Sequence, residues 1–134
     1  MEEKRRMEEI KKQEEEAKKQ RQIVEKITGK SWESLQQQTS LDLRSKGLSG
    51  LPECFGELSQ LKKLGLYNNP LGHFPECILR LHNLTSLGLG ETGLKQLPEN
   101  FGDKLPNLEW LGIYSNRLRR LPSSFAKLQK LEQL

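Results

Sequence analysis

Residues 61–83, LKKLGLYNNPLGHFPECILRLHN, decide the fold of this chain. Their apolar residues follow neither the period of a helix nor a plain strand alternation. A short alternating piece, Leu64 and Leu66, is followed by a turn at Asn69 and then by a looser apolar return. Because the same spacing recurs on both sides, the stretch is one unit of a repeat array.

The array keeps a constant phase along the chain. Aligned on the position of Asn69, its units span residues 38–60, 61–83, 84–107 and 108–130, with a partial unit at 131–134. Each full unit carries one alternating apolar pair, as in Leu64 and Leu66, which predicts a short half-buried strand. Such strands are too short to stand alone, so we expect them to stack as a parallel sheet. An apolar residue followed by proline begins each return, which predicts an irregular, extended or short 3₁₀ limb because proline lacks an N–H.

This pattern, L-x-x-L-x-L-x-x-N-x-L-x-x-L-P, resembles the leucine-rich repeat family over residues 38–134. Its Leu-Pro units of about 23 residues are similar to the intracellular Ras-group class of that family. The resemblance implies an α/β repeat fold, a solenoid with a curved parallel sheet on its concave face and an irregular or 3₁₀ convex limb. It also implies a non-catalytic protein-interaction module, an intracellular scaffold or adaptor in signalling, with small GTPases or their regulators as partners. The alternative is the substrate- or partner-targeting region of a larger enzyme, a ubiquitin ligase or kinase, whose catalytic domain lies outside this chain.

Some positions depart from the family pattern. The ninth position, where an asparagine amide satisfies backbone groups of the turn, is Lys46 in the first unit and Thr92 in the third. Threonine partly replaces that amide but lysine does not, so we expect the first unit to be a degenerate terminal one. The sequence ends after L-x-x-L without a polar cap, and we expect a truncated array or a piece of a longer chain.

Residues 1–29 predict a charged helix, because Glu, Lys, Arg and Gln are strong helix formers. Ile10, Ala17 and Val24 lie seven residues apart, which leaves two interpretations open: a solvated single helix, or a weak coiled coil or partner-docking helix. Residues 30–37 predict a short helix from Trp32 to about Gln37 that covers the open edge of the first repeat. Alternatively, Trp32 anchors a partner.

The stacked strands present outward side chains on the concave face, among them a column of three glycines flanked by aromatic residues. Glycine in a strand often marks close approach by another backbone, and Tyr and Trp are enriched anchors at interfaces. We therefore expect a protein partner on this face, bound by Arg44, Lys63, Gly65, Tyr67, Gly88, Glu91, Trp110, Gly112 and Tyr114. Alternatively, the glycines are merely tolerated and the aromatic rings cover the sheet.

The composition and the spacing of reactive residues argue against several other classes of function. A net charge of +4 with interleaved acids does not favour nucleic acid, and no segment has the run of apolar residues that a membrane span requires. Cys54 and Cys77 fall at equivalent positions of adjacent units, without the spacing of a metal site. No nucleophile elbow is present either. We therefore expect a cytoplasmic, monomeric, non-enzymatic protein without cofactor or metal.

Three arginines follow the last full strand, and this cluster has two interpretations. It is either a solvated edge or a contact for an acidic partner or a phosphate. Its members are Arg117, Arg119 and Arg120.

Overall fold

This computed structural model describes residues 1–132. They are organised around a parallel sheet of four short strands in the order β1-β2-β3-β4. The strands are β1 Ser40–Asp42, β2 Lys63–Gly65, β3 Ser86–Gly88 and β4 Trp110–Gly112. Their register pairs equivalent residues of successive units, so that Leu41, Leu64, Leu87 and Leu111 lie side by side. These leucines are buried, at no more than 5% exposed, and the predicted repeat fold is confirmed.

The N-terminal end of the array is closed by two helices, α1 Glu2–Thr28 and α2 Trp32–Leu35. Leu35 is fully buried and Trp32 is half-buried against the core. α2 ends two residues before Gln37, the predicted end of this helix. The N–H of Gln37 instead donates a hydrogen bond to the carbonyl of Ser34, three residues earlier, in a turn. The short helix therefore covers the edge of the first unit.

The last turns of α1 belong to the same closure. Val24 is 1% exposed and joins the core, while Ile27 packs partly against it. The carboxylate of Glu25 accepts a 2.6 Å hydrogen bond from the N–H of Trp32, and the Arg21 guanidinium lies 5.3 Å from the centre of the Trp32 ring. This part of α1 packs on the array, a contact that neither of the two interpretations drawn from the sequence included.

Nearly all of the remainder of α1 is exposed, including Ile10 at 41% and Ala17. The sequence suggested a coiled-coil seam through Ile10, Ala17 and Val24. Because Val24 is buried in the array, such a seam does not extend to Val24. For the exposed part of α1, both interpretations stay predictions: a solvated helix, or a helix that docks on a partner. Among the described residues, no helix is long and apolar enough to span a membrane.

The convex limb is built from single helical turns. Three units carry a 3₁₀ helix there, at Glu53–Glu57, Glu76–Arg80 and Ser123–Lys127. The third unit, residues 84–107, is one residue longer than the others and has an α-helical turn instead, α3 Phe101–Lys104. Phe55, Ile78 and Phe101 point inward from this limb and are fully buried.

A buried amide ties the first two units together. The Oδ1 atom of Asn69 accepts hydrogen bonds from the N–H groups of Lys46 at 3.0 Å and Leu48 at 3.1 Å. Its Nδ2 donates to the carbonyls of Leu43 and Leu66, each at 2.9 Å. One side chain thus satisfies backbone groups on two successive units, away from water.

Asn116 repeats this arrangement between the third and fourth units, with Thr92 and Leu94 N–H groups on Oδ1 and the Leu89 and Ile113 carbonyls on Nδ2. Within residues 1–132, the Thr92 hydroxyl hydrogen-bonds only to the Leu89 carbonyl of its own turn and to the Asn116 amide oxygen. Threonine therefore replaces the asparagine only in part, as the sequence predicted.

Replacing Asn69 by Ala should lower the free energy of unfolding by about 3 kcal/mol, because each buried backbone group left unpaired costs roughly 1–3 kcal/mol. Denaturant unfolding followed by circular dichroism measures the change. The matched control is Asn83→Ala, since the Asn83 amide is exposed and donates to a single carbonyl, that of Ser59. A loss equal to that of the control would show that the buried amide does not hold the units together.

Candidate functional site

Three aromatic side chains form one cluster on the concave face. Tyr67 and Tyr114 stack with ring centres 5.8 Å apart, and Tyr67 and Trp110 pack at 6.2 Å with their planes tilted by 57°. Tyr67 and Trp110 are half-buried, whereas Tyr114 keeps 56% of its surface exposed. The structure thus brings together the three aromatic residues that the sequence predicted for this face.

The glycines beneath the cluster make room for these rings. A Cβ atom at Gly88 would lie 2.5 Å from Cζ of Tyr67, and one at Gly112 would lie 2.7 Å from the outer edge of Trp110. Both distances are too short for real atoms, so a larger residue at either position would move a ring. In this structure the approach that the glycines permit is made by the chain's own aromatic side chains.

Gly90 has the same role and was not among the predicted site residues. A Cβ atom there would lie 2.5 Å from Cζ of Tyr114. The signal was present in the sequence, since Gly90 stands between Tyr67 and Tyr114 at the equivalent position of the intervening unit. Gly65 differs, because the nearest atom to its Cβ would be Oδ1 of Asp42 at an ordinary 3.5 Å.

Arg44 reaches the cluster from the first unit, but its charge is already partnered. Its Nε donates to both carboxylate oxygens of Asp42, at 3.0 and 2.9 Å, and its guanidinium lies 6.0 Å from the centre of the Tyr67 ring. This hydrogen bond lowers the pKa of Asp42 and raises that of Arg44. Burial, followed by the neighbouring Tyr114, raises the pKa of Tyr67. Arg44 therefore acts with Asp42 as a polar pair beside the rings.

A shallow cleft of about 210 Å³ is lined by this pair and by Tyr67 and Trp110 of the aromatic cluster. Lys63 and Ser86 line it from equivalent positions of two strands. Its floor is formed by the predicted glycines Gly65 and Gly88. The cleft is open and polar at the rim, which suits a side chain of a partner better than a small buried ligand.

Glu91 lies apart from the aromatic cluster. Its backbone has a φ of 57°, in the left-handed region, as do the equivalent residues of the other units, Ser45, Asn68 and Ser115. This conformation turns the chain out of the sheet plane directly after the strand. The carboxylate accordingly lines a second cleft, of about 460 Å³, shared with Lys95 and Arg117 at the loop edge of the array.

Cys54 and Cys77 are free thiols on the convex limb, half-buried and buried respectively. Burial is the main cause of the raised pKa of each thiol, and that of Cys77 reaches about 12. Neither sulfur is therefore in the thiolate form that binds metals or attacks electrophiles near neutral pH. In residues 1–132, no three His, Cys, Asp or Glu side chains gather closely enough to hold a metal ion.

Comparison with known proteins identifies the repeats. Residues 82–134 match the family model described as leucine rich repeat. No curated protein sequence matches the chain significantly. Among solved structures, the chain is similar to a leucine-rich repeat protein from Leptospira interrogans, with 30% identity and a TM-score of 0.63 over 76% of this chain and 32% of that chain. The repeats of this chain are leucine-rich repeats.

Two further solved structures come from plant receptor kinases. The leucine-rich repeat ectodomain of SOBIR1 from Arabidopsis thaliana is 35% identical, with a TM-score of 0.61, over 70% of this chain and 52% of that chain. The Arabidopsis receptor kinase HAESA, in complex with the peptide hormone IDA and the co-receptor SERK1, is 32% identical, with a TM-score of 0.63, over 78% of this chain and 19% of that chain. The chain thus spans a third to a half of the Leptospira and SOBIR1 chains. Arrays of this kind use their extended concave surface for binding.

Replacing Gly88 by Ala should displace the Tyr67 ring from Trp110, because the added methyl occupies the space of that ring. The tryptophan emission spectrum, recorded in a Trp32→Phe background that leaves Trp110 as the one tryptophan, reports the displacement. Gly65→Ala is the matched control in the same column, and it should leave the emission unchanged. Identical spectra for the two variants would contradict the packing of Tyr67 on Gly88.

Cys77 should resist alkylation in the native protein, whereas Cys54 reacts slowly. The unfolded thiol titrates near its ordinary value of 9.0 and the folded one near 12. Cys77 therefore favours the folded state below pH 9, and this contribution is lost as the pH rises from about 9 to about 12. Iodoacetamide labelling at pH 8 followed by mass spectrometry, with and without denaturant, checks the order of reaction. Equal native labelling of the two thiols would contradict it.

Proposed function

We propose that this chain is a non-catalytic protein-interaction module that holds an extended segment of a protein partner on its concave face. The single observation that carries this proposal is the partly exposed cluster of Tyr67, Trp110 and Tyr114 above a floor of glycines. Large aromatic side chains supply much contact area with few rotatable bonds, and they dominate the binding energy of many interfaces.

The mutual packing of the rings favours binding further. Because Tyr67 already contacts both other rings and lies on Gly88, less side-chain freedom remains to be lost when a partner docks. Next to the rings, Lys63 and the Arg44–Asp42 pair offer donors and acceptors to the backbone or polar side chains of the segment. The face therefore combines a ready apolar centre with a polar rim, the usual anatomy of an interface.

A peptide occupant is supported by one of the similar structures. HAESA is described in complex with a peptide hormone, and its repeats share 32% identity with this chain. We infer that this chain also binds a peptide, as an extended partner segment that crosses successive strands. The shallow cleft of about 210 Å³ beside Lys63 would receive one of its side chains.

We further propose that the module works inside the cell, as a scaffold or adaptor in signalling. The Leu-Pro units of about 23 residues support this setting, since they are similar to the Ras-group class. The free thiols of Cys54 and Cys77 are also compatible with a reducing compartment. Small GTPases or their regulators are the partners that this similarity suggests.

A second candidate function is the targeting region of a larger enzyme. The observation that favours it is the similarity to repeats of receptor kinases, SOBIR1 and HAESA among them. In that arrangement the concave face would select a partner or substrate for a catalytic domain elsewhere in the protein. The same face would carry recognition in either case.

Replacing Tyr67, Trp110 and Tyr114 together by Ala should abolish binding of peptides selected against the native chain from a displayed random library. Loss of three anchors of this size should weaken affinity by at least about a hundredfold, given the roughly 2 kcal/mol or more typical of a single such residue. Fluorescence anisotropy of the labelled peptides measures the change.

The matched control truncates three exposed apolar side chains of α1, through Met7→Ala, Ile10→Ala and Ile23→Ala. This variant should bind the selected peptides as the native chain does. Circular dichroism should show both triple variants folded. Undiminished binding by the folded aromatic variant would rule out the concave face as the binding site.

A further inference from the structure

The loop edge of the array carries a second, chemically different surface. Three cationic side chains line one open cleft of about 400 Å³ there: Lys95, Arg117 and Arg119. They belong to the turns that leave the third and fourth strands, beside the concave face but outside the aromatic cluster. This basic cleft joins the arginine cluster seen in the sequence to a lysine from the preceding unit.

The backbone holds these cations in place. Lys95 and Arg119 stand at equivalent positions of adjacent units, three residues after Thr92 and Asn116. The N–H of Arg117 donates to the Leu94 carbonyl at 2.8 Å, and the half-buried amide of Asn116 accepts from the N–H of Leu94 at 3.1 Å. Both turns are therefore fixed to one another at the base of the cleft.

The charges of the basic cleft are not neutralised within the part of the chain that the structure describes. Arg120, the fourth cation of this edge, is paired with Glu99 at 3.0 Å, whereas Lys95, Arg117 and Arg119 make no ion pair in residues 1–132. Glu91 is the nearby carboxylate, since it lines the neighbouring cleft with Lys95 and Arg117. Three like charges around one opening repel each other, and a bound anion relieves that repulsion.

We propose that the basic cleft binds the phosphoryl group of a phosphorylated protein segment. A phosphoryl group carries about two negative charges at neutral pH and three acceptor oxygens, which three cationic donors match. The planar guanidinium groups of Arg117 and Arg119 suit bidentate contact with such oxygens. A cleft of about 400 Å³ also leaves room for the residues beside the modified side chain. This second site does not depend on the aromatic cluster.

The experiment compares an arrayed library of phosphoserine peptides with the same library carrying unmodified serine, probed with the full chain. Phosphopeptides should be retained at least about tenfold better, the difference expected for charge-assisted hydrogen bonds. The combined variant K95Q, R117Q and R119Q should lose this preference. Glu91→Gln should strengthen it, because that substitution removes the neighbouring carboxylate.

The matched control is K11Q, K12Q and K18Q, which removes three exposed positive charges from α1 and changes the net charge equally. It should keep the phosphopeptide preference, as should the variant lacking the three concave aromatic residues. Retention of the preference by the cleft variant would overturn the proposal. An equal loss in the α1 control would overturn it too, since it would show general charge attraction.

The experiment also tests two other kinds of anionic ligand. Vesicles of phosphatidylcholine with phosphatidylserine, and a single-stranded RNA oligonucleotide, should bind no more tightly to the native chain than to the cleft variant. If either binds the native chain through the basic cleft while phosphoserine peptides do not, the proposal is wrong, and the surface serves a membrane or a nucleic acid instead.

Discussion

The buried amide of Asn69 is the contact on which the geometry of the array depends. Each strand has only three residues, so the fold cannot rest on the hydrogen bonds of an isolated strand. The amide joins two consecutive turns by accepting from one unit and donating to both. Because Leu43, Leu48 and Leu66 are buried, the backbone groups that the amide pairs on them have few other ways to be satisfied. The asparagine thus fixes the spacing at which the leucines of neighbouring units meet.

Constant spacing is also what gives the concave face its chemistry. Since every unit pairs in the same register, residues at one repeat position form a column across the sheet. A glycine column then lies next to a column that holds Tyr67, Gly90 and Tyr114, and the two tyrosine rings fall on two glycines of the third unit, Tyr67 on Gly88 and Tyr114 on Gly90. A single extra residue inside a strand would break this match. The extra residue of the third unit is accommodated on the convex limb, where α3 replaces a 3₁₀ turn without disturbing the sheet.

The fold was predictable because the same pattern of leucines occurs in all four repeat units. The site was less predictable, because each of its contacts depends on residues that occur at a single position. Periodicity assigned the leucines of the core and the strands, and the columns followed from them. It did not determine that Tyr67 would lie on Gly88, because a ring's rotamer is set by contacts between units and not by its own sequence neighbours. Periodicity also did not show that Arg44, predicted to bind a partner, is itself paired with Asp42 two residues earlier.

The N-terminal closure was predicted only in part, for a similar reason. Ser31 and Trp32 signalled a short capping helix, but Val24 lies in a helix whose composition is that of a solvated one. Val24 reaches the core because the chain turns tightly at Gly29, which has a φ of 72°. In this turn the Glu25 carboxylate accepts a hydrogen bond from the N–H of Trp32. That contact depends on the angle between two helices, which no local pattern encodes.

The fourth unit links the two surfaces that we assign to binding. Trp110 and Tyr114 extend from its strand into the aromatic cluster, and Arg117 and Arg119 leave the following turn toward the basic cleft. Fewer than ten residues separate the first of these side chains from the last. Two weak contacts made by one partner act as a single stronger one when the partner spans both, since the second contact then forms at high effective concentration. Because the half-buried amide of Asn116 holds the turn between the strand and the basic cleft, the repeat geometry sets the distance that such a partner must span.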